Sequence, residues 1–286
     1  MLHRALSEHF PGDWRCQALN ISGLCETWRA EGPQGARLFI KTLPQARAAV
    51  LDAEADGLRA LAAARALRVP AVAGVFLHEG TAVLALEWLD LKPLGDAGGA
   101  AFGAALAALH TAEAPARYGW SRGNWLGATP QDNAWTAGDG LADWLGFLAT
   151  RRLRPLAQGL DAALVDAVER LIARLPALFD DGHVPRPSLI HGDLWSGNWG
   201  ALADGTPVVF DPAVSVSDAE AELAMMELFG APPPAFWPAY RAAAPLHGGY
   251  VRRRPVYQLV HLLNHARLFG GGYARQALAV AQRLIQ

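Results

Sequence analysis

Strand-forming patterns fall almost entirely within the first 90 residues of this 286-residue chain, and this asymmetry strongly constrains its fold. Apolar runs at 36–41 and 71–89 lie beside Gly- and Pro-containing turns, which is typical of antiparallel strands. Between them, residues 45–67 have helical spacing with a leucine stripe on one side and end before Val69–Pro70. A small, mainly β segment therefore comes first.

Helical patterns dominate the rest of the chain, interrupted at 188–212 by one strand–loop–strand segment. We expect that segment to form a single β-hairpin of polar residues. The sequence therefore predicts an α+β fold with two lobes, a mainly β N-terminal lobe (1–89) and a larger helical C-terminal lobe (90–286). The predicted helices lie near 99–110, 141–153, 161–179, 219–230, 257–270 and 274–285.

Composition disfavours several classes of protein. The net charge is −2, from 25 basic and 27 acidic residues, and no basic stripe suggests a nucleic-acid partner. No run approaches the roughly 20 apolar residues of a membrane-spanning helix, and the N-terminal residues lack a signal-peptide profile, so we expect a cytoplasmic protein without a membrane partner. The two cysteines have neither disulfide-framework nor zinc-site spacing.

The most informative polar residues lie in the predicted hairpin. Asp193 precedes Asn198 by five residues, and Asp211 follows thirteen residues later, directly after an apolar strand. This order matches the catalytic loop of kinases, where one carboxylate meets the acceptor hydroxyl while an amide and a second carboxylate hold Mg²⁺ on the phosphates of ATP. A polar turn is the alternative for either half alone, but both halves at this spacing favour Asp193 as the catalytic residue and Asn198 and Asp211 as metal ligands.

A lysine at the end of the 36–41 strand completes the kinase pattern. Lys41 stands where kinases keep the lysine that contacts the α- and β-phosphates, and Glu54 on the following helix is its predicted ion-pair partner. Glu26 and Asp52 are the rival partners. An exposed lysine at a strand end is the alternative for Lys41 taken alone.

Further nucleotide contacts are predicted at two places in the N-terminal lobe. The segment 20–27 should cover the phosphates, although Gly23 is its only glycine and backbone amides would have to bind them. Cys25 lies in the same loop, where exposure and backbone N–H groups could favour its thiolate; a small buried thiol is the alternative. The backbone near Glu87 and Leu89, between the two lobes, is the candidate adenine contact.

These motifs resemble the fructosamine (ketosamine) kinase family, within the aminoglycoside-phosphotransferase-like kinases of protein-kinase-like fold. The resemblance spans about 25–273. HGDL…N is shared by many small-molecule kinases, whereas LWSGN with DPA and LNH…FGGGY is more specific. The segments that carry it are HGDLWSGN…VVFDPAV, TPQDNAW, DWLGFLATRRLRP, SDAEAELAMMELFG and YQLVHLLNHARLFGGGY.

The resemblance implies ATP-dependent phosphorylation of the 3-hydroxyl of a ketosamine, which promotes deglycation. The same segments make Trp195, Asn133, Asn264 and His265 candidate substrate contacts. Glu220 matches an acidic position of the family pattern without an assigned role. The alternatives are a related kinase acting on an aminoglycoside or choline, and an inactive nucleotide-binding module.

Overall fold

A computed structural model describes residues 2–20 and 24–286. The N-terminal part contains a five-stranded antiparallel sheet with the strand order β1-β2-β3-β5-β4. The strands are β1 (Arg15–Asn20), β2 (Glu26–Glu31), β3 (Arg37–Pro44), β4 (Val72–His78) and β5 (Thr81–Glu87).

Each face of the sheet is covered by one helix. Side chains alternate along β3, so Ile40 faces helix α1 (Leu2–His9), while Lys41 and Leu43 lie on the opposite side, toward helix α2 (Ala48–Ala64). Leu51, Leu58 and Leu61 of α2 are buried, as the leucine stripe predicts. Because β3 is the central strand, Lys41 is held in a buried and well-defined position.

The C-terminal part is mainly helical. A core of Trp144, Leu171, Tyr257 and their neighbours holds its helices together. A π-helical stretch (Leu148–Leu153) follows Phe147 and leads directly into the helix that begins at Arg154. The helices are α3 (Asp96–Thr111), α4 (Leu141–Phe147), α5 (Arg154–Ala157), α6 (Ala162–Leu178), α7 (Ala219–Met226), α8 (Phe236–Ala243), α9 (Tyr250–Phe269) and α10 (Gly271–Leu284).

The prediction of a single polar hairpin at 188–212 is wrong. Strand β8 (Pro187–Ile190) pairs with β11 (Ser215–Asp218), whereas β9 (Trp199–Ala201) pairs with β10 (Pro207–Val209). An additional short ribbon, which was not predicted, contains β6 (Asn124–Leu126) and β7 (Thr129–Gln131). An apolar pattern reports how a strand is buried but does not select its partner, because pairing is a contact between distant residues.

The mixed α/β architecture, with its antiparallel sheet followed by helices, confirms the predicted fold class. The last strand of the five-stranded sheet in chain order, β5, ends at Glu87, and helix α3 begins at Asp96. Among the described residues, no helix combines the length and apolar character needed to cross a bilayer.

Candidate active site

The loop between β8 and β9 is held by hydrogen bonds within the loop and by one to Phe210, which follows Val209. Asn198 Nδ2 donates to the backbone carbonyl of Asp193 at 2.8 Å and approaches its carboxylate at 3.4 Å. His191 is fully buried, and its Nε2 lies 2.9 Å from the carbonyl oxygen of Phe210, while its Nδ1 accepts the Asp193 N–H at 3.3 Å. His191 therefore braces the loop, and Asp193 and Asn198 are held side by side.

A buried carboxylate supports this loop from behind. Glu222 of α7 accepts the backbone N–H of Gly192 at 2.7 Å and that of His191 at 3.0 Å, and His110 Nε2 lies 3.0 Å from the same carboxylate. Burial opposes ionisation of Glu222, but the contact with His110 and the other donors hold its pKa below the ordinary value. The sequence analysis missed Glu222, because nothing local distinguishes it from the neighbouring acidic residues of this helix.

Gly192 is required by the shape of the loop. Its φ is +85°, in the left-handed region that L side chains rarely adopt, and a Cβ atom at this position would overlap the carbonyl oxygen of Ala213. The close approach is reinforced by the Ala213 N–H, which donates to the His191 carbonyl at 2.8 Å. Because Gly192 has no side chain, the segment that follows Asp211 can pack against the loop that carries Asp193.

Lys41, Glu54 and Asp211 meet at the boundary between the two lobes. Lys41 Nζ lies 2.7 Å from Glu54 Oε1 and donates to Asp211 Oδ1 at 2.6 Å. Glu26, a predicted rival of Glu54, instead accepts the hydroxyl of Thr42. Asp211 has a φ of +59°, an uncommon conformation for a non-glycine residue that turns its side chain toward Lys41.

Burial and charge shift the acid–base properties of these groups. Burial, together with the nearby charge of Asp211, raises the pKa of Asp193 to about 7. Burial also raises the pKa of Glu54 to about 6, although Lys41 opposes this shift. Burial alone would lower the pKa of Lys41, but the charges of Asp211 and Glu54 outweigh it and raise that pKa. The lysine is therefore a permanent cation, whereas Asp193 changes protonation state near neutral pH.

Two cavities meet at Asp211. One, of about 270 Å³, contains the polar groups and is lined by Lys41, Glu54, Asp193, Asn198 and Trp195 among others. The other, of about 460 Å³, is largely apolar, and Glu87 and Leu89 line it. Its remaining lining residues are Phe39, Pro70, Leu86, Trp88, Asp90, Leu91 and Phe210. An apolar slot that opens onto a cluster of one cation and several oxygen ligands has the shape and chemistry of a nucleotide site.

The oxygen atoms available near Asp211 suit a magnesium ion. Lys41 donates to Asp211 Oδ1, and Asn198 donates through Nδ2. Within the part of the chain that is described, Asp211 Oδ2 and Asn198 Oδ1 accept no hydrogen bond and are available to a ligand. Carboxylate and amide oxygens are the ligands that Mg²⁺ prefers, and the ion commonly takes only one or two of them from protein. Asn198 and Asp211 therefore fit the predicted metal site.

The predicted substrate contacts separate into two groups. Trp195 lines the polar cavity and is 38% exposed. His265 is half-buried within an aromatic cluster, with its ring 4.4 Å from Phe229 and 4.9 Å from Tyr273, and it does not line that cavity. Asn124 and Trp125 of β6 do line the cavity, although the sequence analysis did not identify them.

Asn133 and Asn264 occupy structural positions rather than the predicted substrate-binding ones. Asn133 is 1% exposed and accepts a hydrogen bond from Arg152 at 2.6 Å. Asn264 is 2% exposed and donates to the carbonyl of Leu126 at 3.2 Å. Both amides donate to the segment that contains β6 and β7, Asn133 to Arg122 and Asn264 to Leu126. Asn264 Oδ1 is buried and has no hydrogen-bond partner among the described residues.

The predicted phosphate-covering loop is only partly described. Gly23 lies outside the described residues. Cys25 lines the polar cavity, but burial raises the pKa of its thiol more than Lys41 lowers it. The partial burial of Cys25 therefore favours the alternative, a protonated thiol, over the thiolate hypothesis, which assumed an exposed loop.

Glu220 has a position within a buried ion-pair network. Arg253 donates to both of its carboxylate oxygens, at 2.7 and 2.8 Å, and also pairs with Asp181. His183 Nε2 lies 2.7 Å from the neighbouring Asp218. Breaking such a buried pair leaves an uncompensated charge, so Glu220 anchors α7 to α9 and has no direct part in the site.

Known proteins resemble this chain over most of its length. The family profile described as fructosamine kinase matches residues 16–286. A probable ketoamine kinase of Synechocystis is 38% identical over 258 residues, covering 87% of this chain and 83% of that protein. The chloroplastic protein-ribulosamine 3-kinase of Oryza sativa is 36% identical over 252 residues, covering 85% of this chain and 70% of that protein.

Solved structures agree with these sequence matches. A crystal structure from Thermobifida fusca, assigned to the fructosamine-3-kinases, has a TM-score of 0.85 and 32% identity, covering 99% of this chain and 98% of that one. An aminoglycoside phosphotransferase in complex with AMP-PNP and hygromycin B has a TM-score of 0.66 and 15% identity, covering 99% and 97%, and shows the kinase-like fold alone. The chain belongs to the fructosamine kinase family.

Proposed function

We propose that this protein transfers the γ-phosphoryl group of ATP to the 3-hydroxyl of a ketosamine, an adduct of a sugar with an amine. The observation that carries the proposal is the convergence of Lys41, Asp193, Asn198 and Asp211 in one cavity that opens onto an apolar slot. Relatives named for ketoamine and ribulosamine phosphorylation support the choice of acceptor.

The nucleotide would occupy both cavities. Its adenine ring fits the apolar slot beside Glu87 and Leu89, where the Glu87 carboxylate is already engaged by the Ala71 N–H at 3.0 Å and by Arg68. Adenine recognition would therefore use backbone groups. Lys41 would contact the α- and β-phosphates, with Glu54 holding its chain in place.

Asn198 and Asp211 would hold Mg²⁺, which neutralises charge on the phosphates when it is bound. Asp193 would orient the acceptor hydroxyl and receive its proton as the new O–P bond forms and the bond to the departing ADP breaks. A pKa of about 7 allows Asp193 to accept a proton under neutral conditions. The products would be ADP and a 3-phosphorylated adduct, which then decomposes and releases the amine.

The acceptor would enter on the side of Trp195 and Trp125, which supply two aromatic surfaces. The neighbouring Asn124 amide is already engaged by the Val214 carbonyl and by Gln131. The acidic residues that line the cavity are Glu54, Asp193 and Asp211, and each already has a role in the proposed reaction. No further carboxylate of the described lining remains for a polycationic aminoglycoside. This composition favours a ketosamine over the aminoglycoside alternative.

Mass spectrometry of parallel reactions tests the assignment. Purified protein would be incubated with ATP and Mg²⁺ and, separately, with fructosyl-lysine, ribulosyl-lysine, kanamycin or choline. We expect a phosphorylated product from at least one ketosamine and its loss in the Asp193→Asn variant. Phosphorylation of kanamycin or choline with both ketosamines unchanged would contradict the substrate class. Nucleotide binding without any turnover would support the inactive-module alternative.

A further inference from the structure

A segment of the helical lobe reaches across to the helix that carries Glu54. Trp120 Nε1 donates to Asp56 Oδ2 at 2.7 Å, and Arg122 approaches the backbone carbonyl of Asp52 at 3.4 Å. Both acceptors belong to α2. Trp120 therefore joins the two lobes by a directed hydrogen bond two residues away from Glu54.

At Gly57, the residue after Asp56, α2 packs closely on the chain that follows Asp211. A Cβ atom at Gly57 would lie 3.2 Å from Pro212 Cγ and 3.3 Å from the methyl groups of Val214. This close packing restricts how the helix can move toward the segment after Asp211. The hydrogen bond to Asp56 adds a directed contact, because a hydrogen bond weakens steeply when it is misaligned.

The segment that carries Trp120 is rigidly anchored. The backbone N–H of Trp120 donates to the carbonyl of Asn133 at 2.8 Å, and Asn133 Nδ2 donates to the carbonyl of Arg122 at 3.2 Å. Arg152 in turn fixes the buried Asn133 side chain. Asn133 thus acts as the anchor of the segment that contacts α2.

We propose that the Trp120–Asp56 hydrogen bond is an interlobe tie that positions α2, and through Glu54 the Lys41 ammonium, for phosphate binding. Trp120 is a positioning residue in this account, since it lines neither of the two cavities. The inference rests on the proposed phosphate contact of Lys41. It does not depend on the identity of the acceptor.

The first test measures AMP-PNP binding in the presence of Mg²⁺ by calorimetry. Trp120→Phe removes the indole N–H and keeps an aromatic ring, so we expect about 3- to 10-fold weaker binding, the range of one lost hydrogen bond. Asp56→Leu should have the same effect. Asp56→Asn keeps an acceptor oxygen and should bind within about 2-fold of the wild type.

Trp144→Phe is the matched control. It deletes an indole N–H that donates to Tyr257 at 3.1 Å in the core of the helical lobe, a hydrogen bond that does not involve α2. We expect it to lower thermal stability without weakening AMP-PNP binding. Equal weakening by Trp144→Phe and Trp120→Phe would overturn the proposal, because it would identify a general loss of structure.

A double-mutant cycle with Glu54→Gln tests the route of the effect. If Trp120 acts through Glu54, Trp120→Phe should weaken AMP-PNP binding by less than about 2-fold in the Glu54→Gln background. Fully additive losses would overturn the proposed route, as would unchanged binding in both Trp120→Phe and Asp56→Leu. AMP-PNP binding requires no acceptor, so a failure of the ketosamine assignment would leave this test intact.

Discussion

Lys41 Nζ donates to Asp211 Oδ1 at 2.6 Å, although 170 residues separate the two along the chain. The contact joins the central strand of the sheet to the segment that follows β10. It therefore links the group proposed to bind phosphate to the group proposed to bind the metal. The ion pair with Glu54 completes a triad that needs both lobes to form, in which Lys41 and Glu54 are shielded from solvent and Asp211 is exposed.

Replacing Lys41 should impair nucleotide binding more than any acceptor interaction. Lys41→Met keeps the length of the side chain and removes the charge, so we expect the KM for ATP to rise about 10- to 100-fold, as for a charged hydrogen bond. Lys92→Met is the matched control, because Lys92 is exposed and its Nζ donates to the carbonyl of Ala203 at 2.9 Å. Steady-state kinetics would check both. An ATP KM unchanged by Lys41→Met would remove the residue from the phosphate site.

Replacing Asp193 should abolish turnover while leaving nucleotide binding nearly intact. Asp193→Asn preserves shape but cannot accept a proton, and we expect kcat to fall about 10²- to 10⁴-fold. AMP-PNP affinity should stay within about 3-fold, since the carboxylate is proposed to act on the acceptor. Rapid-quench assays and calorimetry measure these two quantities. Turnover within a few-fold of the wild type would be incompatible with the assigned role.

The two cavities should respond separately to loss of an aromatic ring. Trp195 lines the polar cavity, whereas Trp88 lines the apolar slot. We expect Trp195→Ala to raise the KM for the ketosamine about 10-fold and the KM for ATP far less, since ring–ligand contacts contribute on the order of 1 kcal/mol. Trp88→Ala should show the reverse pattern. Initial rates over a grid of both substrates separate the outcomes, and equal effects on both KM values would contradict this division.

Gly192 should tolerate no side chain. Gly192→Ala places a Cβ atom against the Ala213 carbonyl at a left-handed φ, so we expect a loss of roughly 2 kcal/mol or more in the free energy of unfolding, together with loss of activity. Gly146→Ala is the control, because that glycine lies in α4 and a Cβ atom added there would meet no other group within 4 Å. The control should be neutral or stabilising by about 0.5–1 kcal/mol. Urea unfolding followed by circular dichroism measures both, and a harmless Gly192→Ala would refute the argument.

His183 should make part of the stability dependent on pH. Burial favours its neutral form, but the contact with Asp218 and the charge of Glu220 outweigh this, and Arg253 opposes them only partly, so the pKa of His183 is raised. The stabilisation is fully present below the unfolded pKa of about 6.5 and is lost as pH rises through the higher folded pKa.

Thermal unfolding of the wild type and His183→Gln tests this dependence. We expect the wild type to exceed the variant in Tm by the largest margin near about pH 6 and by a smaller margin near about pH 9. His247 and Asp181 border the same region and are unchanged in both proteins. A margin that grows with pH would show that His183 is not stabilised as a cation.

The sequence alone determined the features that depend on short separations along the chain. Asp193 and Asn198 are five residues apart in one loop, a separation short enough for the sequence to predict that they act together, and Asn198 Nδ2 lies 3.4 Å from the Asp193 carboxylate. The strand at Lys41 and the helical spacing around Glu54 likewise follow from local periodicity. Their pairing was predicted from the kinase pattern, and the structure places the two charges in contact.

The tertiary structure alone decided how distant segments pair and which polar groups are buried. Strand pairing in the folded chain placed β8 beside β11. Tertiary packing brought the Glu222 carboxylate within hydrogen-bonding distance of the Gly192 N–H. Burial made Asn133 an internal anchor and raised the pKa of Cys25. Local periodicity describes the surroundings of one segment, whereas solvent exclusion and hydrogen bonding at these sites depend on segments that are remote in sequence. The sequence therefore predicted which residues carry out the proposed reaction, whereas the hydrogen-bond partners and the solvent exposure of each residue depended on the fold.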